Sequence, residues 1–461
     1  MTVDVLIIGS GQAGVPLAVR LANAGRQVIL VERALLGGTC INYGCTPTKT
    51  MVASARVAHV ARTAARWGVR SSDVGVDFAA VVARKNAIVK RWREGVARRL
   101  DGARDRLRVI EGPARFVGAR EVDVAGRRYS AETVIINTGA RPAVPAIAGL
   151  ESVPWLDNRR VMDLEQLPRH LVVLGGGYIG CEIGQMFRRF GAAVTILTRG
   201  RHLLSREDPE VSASLEAVFA DEGIEVRRQL ELERVTRAGD ELVLHAHGDE
   251  VRGSHLLVAV GRRANTDDLG CDAAGVALDR NGYVVVDDRF RTSASGVFAV
   301  GDVTGGPQFT HRSWDDHRLL FDLLLGRGTP SRARQIVPYT VFTDPQIGHV
   351  GLHESEARAR GMSIEVATMP FGEIARALET GETAGTMKLI IDGTDERILG
   401  ATLVGADAGE LIHIFIPLMQ AGVSARSIVD AEFVHPTFAE GVQSLVMRLG
   451  RYALDFESPM R

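Results

Sequence analysis

Lysine is nearly missing from this chain. Only Lys49, Lys85, Lys90 and Lys388 carry it; arginine supplies the remaining 51 of 55 basic residues, set against 56 acidic ones for a net charge of −1. That balance gives no electrostatic basis for binding nucleic acid or an anionic membrane surface. Cysteine is equally scarce, four in 461 residues, too few for a disulfide framework. No apolar run reaches the roughly 18 residues that a membrane span requires. The longest candidate, 411–419, is interrupted by Pro417 and reads as a buried helix. The chain opens MTVDVLIIGSG, straight into a strand, without the basic start and long apolar core of a secretion signal. These absences predict a cytoplasmic location, and the length allows about three domains.

Against that scarcity, two cysteines stand five positions apart, Cys40 and Cys45 in GGTCINYGCTPTKT. In a reducing compartment a close pair points to catalysis or metal binding rather than to a structural bridge. Zinc and thioredoxin-type pairs leave two residues between the cysteines; here Ile41, Asn42, Tyr43 and Gly44 intervene. Five steps of a regular helix rise ~7.5 Å and set the side chains ~140° apart, whereas a disulfide wants Cα atoms within ~6.8 Å. The pair closes only where the turn is distorted, and Gly44 supplies that freedom. A bond made under such constraint reduces and re-forms readily, which suits a redox shuttle.

Two nucleotide-binding patterns follow. A strand over 3–8 leads into Gly9-Ser10-Gly11-Gln12-Ala13-Gly14, a helix over 15–24 and a strand over 27–31 that ends at Glu32. Glycines in this context let the backbone approach a pyrophosphate at the helix N-terminus, and the acid takes the ribose hydroxyls. The pattern returns with a strand over 170–174, the turn Gly175-Gly176-Gly177-Tyr178-Ile179-Gly180, a helix over 182–190 and a strand over 193–197. This second strand runs into Thr198 and Arg199 instead of an acid, which favours a 2′-phosphate and hence NADPH over NADH. Arg201 and Arg206 stand by to assist; a solvated arginine is the competing reading. Between the two units a basic helix over 78–100 carries Arg84, Lys85, Lys90, Arg91, Arg93, Arg98 and Arg99 with Trp92 as its one tryptophan, and reads as a solvated face. From about residue 337 the chain changes to strands mixed with helices and holds no nucleotide motif.

Six motifs in order, GSGQAG at Gly9, GGTCINYGC at Gly37, NTGARP at Asn137, GGGYIG at Gly175, VFAVGDV at Val297 and HPTFAE at His435, resemble the pyridine nucleotide–disulfide oxidoreductases, homodimeric FAD enzymes. The resemblance spans the whole chain. It implies an α/β fold of two Rossmann-like domains, for FAD and NADPH, plus a C-terminal α+β dimerisation domain. The segments would be 1–149 (FAD, first part), 150–262 (NAD(P)H), 263–336 (FAD, second part) and 337–461 (dimerisation). By the same resemblance Gly9, Gly11, Gly14 and Glu32 bind the ADP half of FAD, with Gly38, Thr39, Thr138 and Gly139 beside them. Gly301 and Asp302 serve the ribityl side, although a turn aspartate after glycine is the bland reading. Gly175, Gly177, Gly180, Gly261 and Arg199 hold the nicotinamide cofactor, and Tyr178 covers its pocket. Lys49 lies beside the flavin with Glu182 as its carboxylate partner. Cys45 is the flavin-facing thiol and Cys40 the outer, interchange thiol. His435, oriented by Glu440, acts as acid–base in the active site of the partner subunit.

Within the family, SREDPEV, DEGIEV, VFTDPQIG and AGELI resemble the mercuric reductase branch, and GDVTGG with QFT and WDDHRLL resembles a bacterial copper(II) reductase of that branch. Yet the chain ends LDFESPMR, with no cysteine after Cys271, whereas mercuric reductases end in a vicinal pair, commonly carry an N-terminal metal-binding domain, and have tyrosine where His435 stands. The expected reaction passes electrons from NADPH through FAD and Cys40–Cys45 to Hg²⁺, Cu²⁺ or a disulfide. A dihydrolipoamide dehydrogenase or glutathione reductase is one alternative, and a non-enzymatic flavin redox sensor another. No resident metal is expected: His311, Asp315, Asp316 and His317 read as a helix start, and Cys181 and Cys271 as core residues.

Overall fold

Short β-branched runs that are apolar on both faces form buried parallel strands, and this chain supplies two sets of them. The computed structural model describes residues 2–246 and 248–452; the terminal stretch 454–461, whose lack of cysteine bears on the acceptor, lies outside the described residues. Strand β1 (Thr2–Ile8) runs inside a seven-stranded sheet. It pairs in parallel with β2 (Val28–Glu32), Val5 opposite Val28, and with β6 (Arg127–Ile136), Val5 opposite Thr133. Late in the chain Val297–Ala299 returns to pair with the end of β6. The first sheet is therefore completed only after the chain has built the second.

That second sheet has five strands, with His170–Leu174 parallel to Ala193–Leu197 on one side and to His255–Val258 on the other. The helix between the first two, α5 (Tyr178–Phe190), starts a full turn earlier than the pattern predicts. Its first turn follows Gly177 directly, and a Cβ on Gly180 would lie 2.0 Å from the Gly175 carbonyl oxygen, so only glycine lets the helix begin there. The third sheet is antiparallel, ordered Tyr339–Val341, Gln346–Gly351, Ile398–Gly405, Thr386–Asp392, Ile364–Pro370. The apolar run 411–419 is helical but broken into short pieces; the helix restarts at Phe415, so Pro417 falls in a first turn where its missing N–H costs nothing.

The basic helix α4 (Phe78–Asp101) is capped by Asp77, whose side chain accepts from the Ala80 amide. One of its residues departs from the solvated face expected. Lys85 is 3% exposed and donates to the Met162 carbonyl at 2.8 Å. Another buried lysine, Lys388 of the third sheet, reaches out of that sheet: its ammonium pairs with Asp208 and Glu210 at the start of helix Pro209–Asp221 and with Glu354 nearer its own sheet. Beside it the Tyr339 hydroxyl donates to Glu207 at 2.6 Å. Among the described residues no helix is long and apolar enough to cross a membrane.

Candidate active site

The first glycine turn exists because side chains would not fit in it. A Cβ on Gly9, whose φ is +106°, would meet the Asn137 carbonyl oxygen at 2.3 Å, and one on Gly14 would meet the Gly9 carbonyl oxygen at 2.1 Å. Asn137 Nδ2 donates to that Gly9 oxygen at 2.9 Å and ties β6 to the turn. Glu32, at the end of β2, accepts from the Ser10 amide at 2.9 Å and the Ser10 hydroxyl at 2.6 Å. Gly38, at φ +65°, brings the next turn down onto Gly11, where a Cβ would sit 2.7 Å from the Gly11 Cα. From here a cavity of 1110 Å³ runs past Thr39, Thr138 and Gly139 to Asp302. No described residue reaches the buried Thr138 hydroxyl or Arg262 Nε. Glycine cradles and an acid at the strand end along one long cavity fit an extended dinucleotide.

The cysteine pair borders that cavity. Helix α2 (Gly38–Asn42) stops, Tyr43 and Gly44 leave helical geometry, and α3 (Cys45–Thr63) begins at the second cysteine. The distortion expected at Gly44 is present, and the chain passes so close there that a Cβ would lie 3.1 Å from the Thr39 carbonyl oxygen. Both thiols are free. Cys45 Sγ lies 3.1 Å from the Thr310 hydroxyl. The hydrogen bond from Cys40 outweighs burial and, with Thr310 and the Lys49 charge, lowers the Cys45 thiol to about 6. Cys40 is pushed well up, by its bond to Cys45, by burial and by the Cys45 charge. One turn along α3, Lys49 Nζ donates to Glu182 at 2.7 Å and lies 4.6 Å from the centre of the Phe342 ring. Glu182, buried on α5, also accepts from the Phe342 amide at 2.8 Å.

Tyr178 stands at the start of α5 with its ring 6.0 Å from Phe309, which stacks on Tyr339 at 5.4 Å. Burial pushes the Asp302 carboxyl up against the opposing charges of Arg262 and Arg312. Gly301, at φ +73°, donates its amide to Asp316 at 2.8 Å. In the second glycine turn a Cβ on Gly175 would strike the Ala259 carbonyl oxygen at 2.4 Å, whereas Gly177 and Gly261 face open space. Arg199 lies outside the cavity wall, exposed, 3.8 Å from Glu231. His435 and Glu440 are also off that wall; their side chains bond at 2.8 Å, with the imidazole 71% exposed.

The fold thus gathers Cys40, Cys45, Lys49, Glu182, Tyr178 and Asp302 around one cavity. His311, Asp315, Asp316 and His317 do not converge. His311 bonds the Pro338 carbonyl, Asp315 pairs with Arg318, Asp316 takes the Gly301 amide, and His317 packs edge-on against Trp314. Cys181 and Cys271 are buried, and burial pushes both thiols up, Cys271 to about 11. Thr310, Phe309, Phe342 and Arg262 also line the cavity but escaped the sequence reading. QFT contains Phe309 and Thr310 and VFTDPQIG contains Phe342, but as marks of a branch these motifs carry no chemical signal by themselves.

The family description pyridine nucleotide-disulphide oxidoreductase matches residues 3–316, and that family's dimerisation domain matches 337–446. The probable pyridine nucleotide-disulfide oxidoreductase RclA of Escherichia coli is 38% identical over 448 residues, covering 95% of this chain and 98% of that protein. Mercuric reductase of Streptomyces lividans is 35% identical over 450 residues, covering 95% and 94%. Dihydrolipoyl dehydrogenase of Thermus scotoductus is 33% identical over 459 residues, covering 98% of each. Among solved structures, the Cu(II) complex of the HOCl-induced flavoprotein disulfide reductase RclA from Escherichia coli has a TM-score of 0.89 at 36% identity, covering 97% of this chain and 99% of that one. The α/β architecture, the cavity and these matches agree: the chain belongs to the pyridine nucleotide-disulphide oxidoreductases, FAD-containing, NAD(P)H-dependent enzymes, and ends in their dimerisation domain.

Proposed function

We propose that this protein is a cytoplasmic NADPH-dependent reductase that uses the Cys40–Cys45 pair to reduce a metal ion, Hg²⁺ or Cu²⁺, or a disulfide. The observation that carries the reading is the pair itself: two free thiols on one cavity wall, the inner one 3.1 Å from the Thr310 hydroxyl and one turn from the Lys49–Glu182 ion pair. FAD, when bound, supplies two-electron transfer between the nicotinamide and the pair. Gly9, Gly11, Gly14, Glu32, Gly38, Thr39, Thr138, Gly139, Gly301 and Asp302 hold it. Gly175, Gly177, Tyr178, Gly180, Gly261 and Arg199 take the nicotinamide cofactor, and Arg199 favours a 2′-phosphate.

Two electrons and one proton open the disulfide, leaving Cys40 as a thiol and Cys45 as a thiolate. The Lys49 ammonium, held by Glu182, stabilises the thiolate charge. Cys40 then hands on the reducing equivalents. With a disulfide acceptor it attacks one sulfur, and the other leaves and needs a proton; Cys45 then attacks the Cys40 sulfur, which re-forms the Cys40–Cys45 bond and releases the second thiol. His435, oriented by Glu440, gives and takes that proton from the partner subunit, since in its own chain it faces solvent away from the cavity. With a metal acceptor the two sulfurs bind the ion, Cys40 losing its proton, and as the disulfide re-forms its two electrons reduce one Hg²⁺ or, in turn, two Cu²⁺; no leaving thiol needs a proton. The metal-acceptor reading draws on the names of the mercuric reductases and of the copper complex of RclA; the His435–Glu440 pair favours a disulfide.

Steady-state turnover with NADPH and with NADH against Hg²⁺, Cu²⁺, oxidised glutathione, lipoamide and oxygen tests the proposal. It predicts faster turnover with NADPH and a metal ion or disulfide that outpaces oxygen. Oxidation of NADPH by none of the acceptors would leave the redox-sensor reading in its place.

A further inference from the structure

The hydroxyl beside Cys45 comes from a residue 265 positions away in sequence, and its placement is over-determined. Thr310 is the first residue of a 15-residue helix, Thr310–Leu324, whose positive end therefore lies beside the Cys45 sulfur. The start of that helix is clamped on both sides. Phe309 stacks on Tyr339 and on His311, each at 5.4 Å, and the His311 ring bonds the Pro338 carbonyl at 2.6 Å. Nearly two turns further, Asp316 accepts the Gly301 amide at 2.8 Å. A β-branched side chain is restricted at χ1, so a fixed backbone leaves the hydroxyl few directions, one of which reaches the Cys45 sulfur.

We propose that Thr310 is a positioning residue for the reduced cysteine pair, donating its hydroxyl hydrogen to the Cys45 sulfur and so holding that sulfur as the thiolate while Cys40 reacts with the acceptor. The inference rests on the proposed function, which makes Cys45 the inner thiol. In a thiol–hydroxyl contact either atom can donate, but a thiolate only accepts, so ionisation turns the Thr310 hydroxyl into the donor. Four groups face the sulfur: Cys40 from α2, Lys49 from α3, Glu182 from α5 and Thr310 from its own helix. Lys49 attracts charge onto the sulfur, Glu182 opposes it, and Cys40 is consumed as a donor whenever it reacts with an acceptor. During that step Thr310 is the hydrogen-bond donor that remains. Its hydroxyl also lies near enough to Cys40 to lower that thiol, so it serves whichever sulfur carries the charge.

The test isolates Cys45. In FAD-loaded Cys40→Ser protein the long-wavelength absorbance of a thiolate beside the flavin is followed as pH is raised, with no turnover required. Thr310→Val, nearly isosteric and unable to donate, should move the midpoint upward by about 1 to 2 pH units. Thr310→Ser should bring it back, which restored packing alone cannot do. Flavin content and melting temperature should be the same in all three proteins. A midpoint that does not move in Thr310→Val, or that moves and is not restored by Thr310→Ser, overturns the proposal while leaving Cys45 as the inner thiol. Absence of a titrating long-wavelength band in the Cys40→Ser parent overturns the assignment of Cys45 itself, and Thr310's role with it.

Discussion

Three of the four lysines do work that arginine cannot. Lys49, Lys85 and Lys388 each place a compact ammonium among fixed acceptors: Glu182, the Met162 carbonyl, and the trio Asp208, Glu210 and Glu354. A planar guanidinium has a different shape and reach; only Lys90 sits exposed, near Glu94. The lysine scarcity that looks like a compositional habit thus marks positions where the habit was resisted. Lys49 has a chemical consequence. With the Cys45 thiol lowered to about 6 from 9.0, the reduced protein gains stability from this group as pH rises toward 9, and the gain is lost as pH falls through 6. Alkylation of reduced protein at Cys45 should be half-maximal near pH 6. In Lys49→Met, which removes the nearby cation, the midpoint should rise by about 1 unit or more. An unchanged pH profile, read by mass spectrometry of the labelled cysteine, would show that Lys49 does not act on this sulfur.

Helix α5 is a bolt as well as the helix that follows the second glycine turn. Its buried polar residues Glu182, Gln185 and Arg189 share one face at spacings of three and four. Glu182 fastens Lys49 of α3 and the Phe342 amide; Gln185 accepts from the Asp344 amide at 2.8 Å; Arg189 pairs with Glu222 at 2.6 Å and Asp344 at 2.7 Å. Burial pushes Asp344 up, but Arg189 outweighs it and holds the carboxyl below its ordinary value. That stability is present above about pH 4 and lost as pH falls through the lowered pKa. Arg189→Leu should therefore cost about 3–5 kcal/mol at pH 7, because it takes the shared cation away from two carboxylates in a poor solvent and leaves Glu222 only the Gln185 amide. The deficit in denaturant unfolding should shrink as the pH is lowered toward 4; a deficit independent of pH would mean packing, not charge, is what Arg189 supplies. At this scale sequence reading was uneven. The strands and the two glycine turns were legible because period and spacing are local properties. The helix start at Tyr178 was not, because it depends on how closely Gly180 approaches Gly175, and the polar face of α5 showed only Glu182, because its other partners lie in distant loops.

In the whole molecule, the cavity joins the glycine turns near residue 9, the cysteine helices and the helix at Thr310, with Phe342 from the C-terminal sheet closing one side. Cys40, Cys45, Lys49 and Asp302 were legible because motif order marks them. Thr310 and Phe342 were not, because a hydroxyl or a ring gains its meaning only from what tertiary folding places beside it. His435 and Glu440 were legible as a pair, and the structure shows them bonded and facing outward, so the account needs the homodimer that the dimerisation domain provides. Mixed dimers of His435→Ala and Cys40→Ser subunits should regain part of the disulfide-reductase activity that each homodimer lacks, since one of their two sites then holds both groups. A verified mixed dimer with no recovery would place His435 outside the reaction.

The central claim is that electrons from NADPH pass through Cys40 and Cys45. Anaerobic addition of NADPH to the air-oxidised, FAD-loaded protein, followed by alkylation and mass spectrometry of each cysteine, tests it most directly. Cys40 and Cys45 should become labelled together and only after NADPH is added, while Cys181 and Cys271, buried with raised thiols, stay unlabelled throughout. NADPH oxidation with Cys40 and Cys45 labelled equally before and after would contradict the account.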